Sequence, residues 1–146
     1  MKVDGGCLCG HITYQAEVDP DRVAICHCTD CQTHSASAFG VVVRVVDDGF
    51  RLLSGELKTY EKIADSGAVR ALTFCPECGT RIYANTVGEG LSFFGLRLGT
   101  VRQRAQLKPK IQVWCRSAQN WTGDLSAIPA FERQPSAEEL AGLGKE

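Results

Sequence analysis

The 146-residue sequence contains no hydrophobic run long enough to cross a membrane and carries almost no net charge. A membrane-spanning helix needs about 18 consecutive apolar residues, and no segment approaches that length. Sixteen basic residues against seventeen acidic ones give a net charge of −1, which excludes the overall positive field of a nucleic-acid-binding protein. The sequence also lacks internal repeats, low-complexity segments and Pro/Ser-rich linkers. We therefore expect a single domain that binds neither membrane nor nucleic acid, with its core in residues 5–131 and a short C-terminal tail.

Helical patterns are scarce, and short runs of β-branched and aromatic residues dominate. Such runs, bounded by glycine and other turn residues, are typical of strands. We expect strands at residues 11–18, 39–46, 57–63, 69–74, 91–98 and 111–115. The second of these should end at the turn residues 47–49. Helix is predicted only within residues 30–37 and after Ser136, where Ser136 and Glu139 form a capping box. The prediction is a mainly β fold with little helix.

Cysteine is the residue type in excess, with eight in the chain. Residues 1–7 show neither the apolar segment nor the cleavage site of a secretory signal, so we expect a cytoplasmic chain, where structural disulfides are rare. The cysteines lie mostly in three tight clusters. Residues so close in sequence rarely form disulfides, because the bond needs Cα atoms about 4.4–6.8 Å apart with converging Cβ vectors. A metal ion gathers such sulfurs easily, which favours metal binding.

The CPEC segment at residues 75–78 has the spacing of a zinc knuckle between two strands. Two intervening residues let a tight turn aim both thiolates at one ion, and Gly79 tolerates the positive φ that such turns often need. Cys7 and Cys9 point to the same face of an extended chain, so they can complete a tetrathiolate site with Cys75 and Cys78. A closed four-thiolate zinc site is normally structural.

The CHCTDC segment at residues 26–31 predicts a different kind of site. Cys26 and Cys28 share a face, and Cys31 can fold back after a turn, so all three can meet one ion. Three protein ligands and one vacant position are typical of catalytic zinc. The spacing leaves a second partition open, in which two cysteines of this triple join Cys75 and Cys78.

Three thiolates around Zn²⁺ also bias the chemistry of such a site. Their formal charge of about −1 makes the metal a weak Lewis acid towards water, and a soft thiol suits the vacant position. Zinc would lower the pKa of that thiol and hold a nucleophilic thiolate at neutral pH. We therefore expect a reaction that makes or breaks a carbon–sulfur bond on a small thiol.

Several ordered motifs are carried by the chain: GCLCG at residues 6–10, CHCTDC at 26–31 and FCPECGT at 74–80. PKIQVW at residues 109–114, followed by Trp121, forms a further segment. In this order they resemble the glutathione-dependent formaldehyde-activating enzyme family, over roughly residues 6–131. The resemblance implies a β-tent fold of antiparallel sheets held by a structural zinc ion.

The resemblance also implies the site residues and the activity. The structural zinc would be bound by Cys7, Cys9, Cys75 and Cys78. The catalytic zinc, the second of two per chain, would be bound by Cys26, Cys28 and Cys31. The implied activity is that of a carbon–sulfur lyase that adds glutathione reversibly to formaldehyde, giving S-hydroxymethylglutathione, so the partner is a small thiol such as glutathione or its adduct. The family usually has a basic residue after the third cysteine of the triple, where this chain has Gln32.

Several other residues near these motifs have two interpretations. Because His27 alternates with Cys26 and Cys28, we expect its ring to point away from their metal and to be structural or solvent-facing. In one interpretation His34 and Ser35 line the pocket, and His34 is a possible acid or base. In the other they cap the short helix or face solvent. Cys115 lies in an apolar run and is expected to be a buried small hydrophobe.

The aromatic and basic residues of the C-terminal third also remain open. Trp114 and Trp121 form either a pocket wall or part of the core, with the core the more usual place for large aromatics. A basic set either holds an anionic substrate or is a solvated face, which we favour. It comprises Arg97, Arg102, Arg104, Lys108 and Lys110.

The alternative function is a non-catalytic zinc module that binds protein or nucleic acid, because paired cysteine knuckles also build zinc ribbons. Such a module would fill the vacant position of the triple with a fourth protein ligand, most simply a histidine. The near-neutral charge argues against the nucleic-acid version.

Overall fold

The computed structural model describes residues 1–88 and 93–144, which fold into a mainly β structure as predicted. The strands are β1 Lys2–Gly6, β2 Thr13–Cys26, β3 Gly40–Ser54, β4 Lys58–Ile63, β5 Val69–Phe74, β6 Arg81–Val87, β7 Phe94–Arg97 and β8 Ile111–Val113. The α-helices are α1 Thr29–Ser35 and α2 Ala137–Ala141. Short 3₁₀ helices lie at Leu98–Thr100, Arg104–Gln106 and Cys115–Ser117. None of the described helices is long and apolar enough to cross a membrane.

The strands form one curled sheet in the order β1-β2-β3-β7-β6-β5-β4, with β8 added beside β2. Every neighbouring pair is antiparallel except β8 with β2. Register shifts between Ala16 and Val23 interrupt the pairing of the long strands β2 and β3, and irregularities of this kind bend a strand. The antiparallel β architecture implied by the family resemblance is confirmed.

Several predicted boundaries were wrong. β3 does not end at residues 47–49. Asp48 adopts a left-handed conformation with φ of 55° within the strand, which continues to Ser54. The predicted strand at 11–18 is the first part of β2, which runs on to Cys26. The sequence did not predict β1, which contains Asp4 and two glycines, or β6, which contains Ala84 and Asn85, because these residue types are depleted in strands and weaken the strand pattern. Of the predicted strand at 91–98, β7 is confirmed, and residues 91 and 92 lie outside the described residues.

One side of the core is packed with aromatic rings. Tyr14, Phe50, Tyr83 and Phe94 pack ring against ring, with centroids 4.4 to 5.6 Å apart. Tyr14 is fully buried, and its hydroxyl forms a 2.8 Å hydrogen bond with the Thr100 hydroxyl, which avoids the cost of an unsatisfied buried polar group. Phe50, Tyr83 and Phe94 are partly buried and pack against the fully buried part of the core, which includes Ile12, Val18, Val23, Val43, Ile82 and Leu96.

The connection from β2 through α1 to β3 places the middle cysteine cluster at the edge of this core. β2 ends at Cys26, which pairs with Gly40 at the start of β3. Cys28 is the N-cap of α1, and its Sγ accepts a 3.2 Å hydrogen bond from the amide of Cys31. The helix ends at Ala36, which adopts a left-handed conformation with φ of 51°. The predicted helix within residues 30–37 and the Ser136/Glu139 capping box of α2 are both confirmed.

Candidate metal centres

The turn after β1 and the turn between β5 and β6 bring four cysteines together. The Sγ atoms of Cys7, Cys9, Cys75 and Cys78 all lie within 4.8 Å of one another. Cys9 Sγ is 3.6 Å from Cys7 Sγ and 3.8 Å from Cys75 Sγ. A tetrahedron with metal–sulfur bonds of about 2.3 Å has edges of about 3.8 Å. These distances therefore suit a tetrahedral metal site and are far too long for disulfides, for which sulfurs approach to about 2.05 Å. We call these residues the four-cysteine cluster.

Hydrogen bonds hold the four-cysteine cluster in place. Cys7 Sγ accepts a 3.2 Å bond from the amide of Ile12. Gly79 has φ of +77°, as the knuckle spacing predicts, and its amide donates to the Cys75 carbonyl. Thr80, to which the sequence assigned no role, places its hydroxyl 3.2 Å from Cys78 Sγ while accepting a 3.2 Å bond from the amide of Leu8. The Thr80 hydroxyl and amide lower the pKa of Cys78 to about 5. Thr80 thus favours the thiolate, which is the metal-binding form.

We expect Thr80→Val to weaken metal binding at the four-cysteine cluster by about 10–100-fold, as is usual when a group that supports a ligand is removed. Valine keeps the shape of the side chain but removes the hydroxyl that stabilises the Cys78 thiolate. Competition with a chromophoric chelator measures the affinity. The matched control is Thr122→Val, because the Thr122 hydroxyl donates to the Gln119 carbonyl and lies outside the cluster. Equal metal affinity in the two variants would contradict this role for Thr80.

Cys26, Cys28 and Cys31 form the second group, the three-cysteine cluster. Their Sγ atoms also lie within 4.8 Å of one another, and all three residues are half-buried. The proximity of Cys31 lowers the pKa of Cys26, whereas the proximity of Cys26 together with burial raises the pKa of Cys31. Within residues 1–88 and 93–144, no further His, Cys, Asp or Glu joins this cluster. The cysteines are therefore grouped as four and three, and the other partition left open by the spacing is not formed.

His27 points away from the three-cysteine cluster and is structural. It is buried, with 2% of its surface exposed, and its ring packs edge-on against Phe39. Its Nε2 donates a 2.8 Å hydrogen bond to Gln112 of β8. Gln32 is structural as well, because its amide donates to the carbonyls of His27 and Ser117 and so ties the C-terminal segment to α1.

Arginine side chains from the sheet supply positive charge beside the three-cysteine cluster. Arg97, the last residue of β7, extends over Gly40 towards Cys31. Arg70 of β5 is half-buried, and its guanidinium is 5.2 Å from the centre of the Phe93 ring. Arg81 of β6 donates to the carbonyls of His34 and Gly79. The prediction that Arg97 belongs to a solvated face was wrong, because the register of β7 turns it inward. Arg102 does lie in solvent, where it pairs with Asp4.

The sequence comparison matches residues 2–117 to the family model described as glutathione-dependent formaldehyde-activating enzyme. The chain belongs to this family. A search of the curated proteins found no match. Among solved structures, the crystal structure of a Rhodobacter sphaeroides protein from a structural genomics programme is similar, with 16% sequence identity and a TM-score of 0.57. The match covers 75% of this chain and 98% of that one, and it shows a shared fold.

His34 and Ser35 have different roles in this member of the family. His34 is half-buried, and its pKa is lowered to about 4. Burial is the largest cause, and the positive charges of Arg81 and Arg97 lower the pKa further. The imidazole is therefore neutral at pH 7, and its Nδ1 accepts a 3.3 Å hydrogen bond from Arg97 Nη2. Ser35 closes α1 by donating to the Phe39 carbonyl. His34 thus faces the site, whereas Ser35 has the capping role.

The C-terminal third corrects the remaining predictions. Cys115 is exposed and not buried, because the chain leaves β8 at Trp114, which has φ of 57°. Neither tryptophan is in the core, since about half of each side chain is exposed. Trp121 does line a shallow, open surface depression of about 470 Å³ beside α1, together with Gln32 and Gln119.

Proposed function

We propose that the chain is a zinc-dependent carbon–sulfur lyase that adds glutathione reversibly to formaldehyde, giving S-hydroxymethylglutathione. The observation that carries this proposal is the three-cysteine cluster, where three sulfur ligands meet and no fourth ligating side chain joins them among the described residues. Three protein ligands with a vacant position are typical of catalytic zinc. Membership of a family named for glutathione-dependent formaldehyde activation supports the same chemistry.

The donor sets of both clusters fit zinc. Thiolates are preferred zinc ligands, and four of them within tetrahedral distance are typical of a closed structural site. We assign the structural ion to Cys7, Cys9, Cys75 and Cys78, and the catalytic ion to Cys26, Cys28 and Cys31. When bound at the three-cysteine cluster, zinc lowers the pKa of a thiol at its vacant position and keeps it nucleophilic at neutral pH.

The surrounding residues arrange the substrate. The α1 N-cap and the pairing of Cys26 with Gly40 fix the three sulfurs relative to the sheet. Arg97 brings a cation to one side of the cluster, and His34 orients that guanidinium through its neutral Nδ1. In the addition, the thiol sulfur bonds to the aldehyde carbon and the carbonyl oxygen gains the proton that the thiol loses. The half-buried cluster leaves water access for that proton transfer.

A non-catalytic zinc module needs a fourth ligand at the three-cysteine cluster. The histidines nearest in sequence are engaged elsewhere, since His27 bonds to Gln112 and His34 bonds to Arg97. The catalytic proposal therefore explains this cluster better.

The direct test measures the exchange between glutathione plus formaldehyde and their adduct by NMR, with zinc-loaded protein. We expect the wild-type protein to accelerate exchange and Cys31→Ser to reduce the acceleration by at least about 100-fold, because one ligand of the catalytic ion is lost. The matched control is Cys115→Ser, which replaces an exposed cysteine outside both clusters and should exchange at the wild-type rate. A protein that holds about two zinc ions per chain yet does not accelerate exchange would refute the proposed function.

A further inference from the structure

The guanidinium of Arg97 is only partly paired. Its Nη2 donates to His34 Nδ1, whereas Nε and Nη1 are buried and have no hydrogen-bond partner among the described residues. A guanidinium carries five N–H donors, and leaving a buried charged donor unpaired costs more than leaving a neutral one. The unpaired N–H groups therefore need an acceptor that the described part of the chain does not supply.

These N–H groups lie beside the three-cysteine cluster. A β-carbon built on Gly40 would be 2.6 Å from Arg97 Nη1 and 3.8 Å from Cys31 Sγ, so both atoms lie over the same residue. Glycine at position 40 leaves the space that Arg97 occupies. If a molecule binds with its sulfur at the cluster, a second polar group of that molecule can therefore reach the guanidinium of Arg97.

The charge around the cluster indicates that the missing acceptor is an anion. Arg70 of β5 is half-buried, burial lowers its pKa, and its Nη1 donates a 2.7 Å hydrogen bond to the Thr86 hydroxyl. Arg81 acts on His34 together with Arg97. The ion pairs found in the described ranges, Lys62–Asp30 and Arg102–Asp4, involve none of these three arginines. Three thiolates with a divalent ion carry only about −1, so positive charge remains in excess.

We propose that Arg97 binds a carboxylate of the substrate thiol and makes the site selective for anionic thiols. This inference rests on the proposed function, since it places the thiol sulfur at the three-cysteine cluster. Glutathione has the required chemistry, with two carboxylates and one thiol. Gln32, the residue after the third cysteine, donates to the Ser117 carbonyl and so ties down the C-terminal segment, whereas the cation beside the cluster comes from β7.

The test compares two unreactive probes, S-methylglutathione and its dimethyl ester, by calorimetry on the zinc-loaded protein. We expect the wild-type protein to bind the acid at least about tenfold more tightly than the ester, because charge-assisted hydrogen bonds to a carboxylate are lost in the ester. Arg97→Gln should remove this preference. The matched control, Arg102→Gln, removes an exposed arginine paired with Asp4 and should keep the preference.

Gly40→Ala provides a second variant that leaves every charge in place. The added methyl group would overlap Arg97 Nη1, which is the far end of a flexible side chain, so the guanidinium moves while the fold is retained. We expect the same loss of preference for the acid. Gly99→Ala is the control, because a β-carbon there meets no atom within 4 Å.

The outcomes separate this inference from the proposed function and from a different role for Arg97. Equal binding of acid and ester by the wild-type protein would overturn the inference. It would also be overturned if Arg97→Gln released the ion of the three-cysteine cluster and left the preference intact, since Arg97 would then only balance the charge of the thiolates. A preference that depends on Arg97 in a protein that does not accelerate the exchange would uphold the inference and refute the proposed function.

Discussion

Replacement of Cys75 with alanine is expected to abolish cooperative folding. Cys75 is fully buried and belongs to the four-cysteine cluster, so alanine keeps the position apolar but removes one ligand. Structural zinc contributes about 10–16 kcal/mol in zinc-finger peptides, which matches the whole stability of a typical domain, about 5–15 kcal/mol. Circular dichroism melts and metal analysis of the same samples measure the effect. We expect no cooperative transition and about one bound ion fewer per chain.

The matched control for this experiment is Cys115→Ala, which removes an exposed thiol that belongs to neither cluster. It should melt like the wild-type protein and keep its metal content. If Cys75→Ala also melted like the wild-type protein, the four-cysteine cluster would not be the site that stabilises the fold.

A chelator is expected to remove the activity before it unfolds the chain. The three-cysteine cluster offers fewer ligands than the four-cysteine cluster, and within the described ranges no further His, Cys, Asp or Glu joins it. Its ion should therefore leave first. Turnover, released metal and circular dichroism are followed in the same samples as chelator is added. We expect about one ion per chain to leave with at least about a 100-fold loss of turnover while the β spectrum is retained.

Unfolding should begin only when the second ion leaves. Zinc added back after the first step should restore turnover without a refolding step. Simultaneous loss of both ions, turnover and β structure would contradict the assignment of separate catalytic and structural roles to the two clusters.

The cysteine clusters could be predicted from the sequence because their geometry is largely local. The CPEC knuckle and the CHCTDC segment each place their sulfurs within a few residues, so a single turn brings them together. The mainly β fold could also be predicted, since β-branched runs with turn residues at their ends are a direct strand signal. The pairing of Cys7 and Cys9 with the knuckle was suggested by counting ligands, and the structure brings the four residues together.

The position of Arg97 could not be predicted because it depends on pairing between distant strands. Arg97 pairs with Val42, and Gly40 at the start of the same strand pairs with Cys26. These two registers together carry the guanidinium to the cluster. In the sequence, Arg97 is the first of five basic residues between positions 97 and 110. Such a set of basic residues favours the prediction of a solvent-exposed face.

Cys115 shows the opposite error. Its apolar neighbours predicted burial within a strand, yet β8 is an edge strand with all its residues exposed that ends at Val113, and Cys115 lies in the exposed 3₁₀ helix that follows. An apolar run does not reveal whether its strand lies inside a sheet or at an edge, because that depends on which other strands arrive beside it.

The four-cysteine cluster connects opposite ends of the strand order. Cys7 and Cys9 follow β1 at one edge of the sheet, whereas Cys75 follows β5, one strand from the other edge and 66 positions after Cys9. An ion held there closes a long loop of the folded chain, and because it binds the native and not the unfolded chain, its binding free energy adds to the free energy of folding. Metal supply should consequently govern what fraction of newly synthesised chains keeps the native curvature.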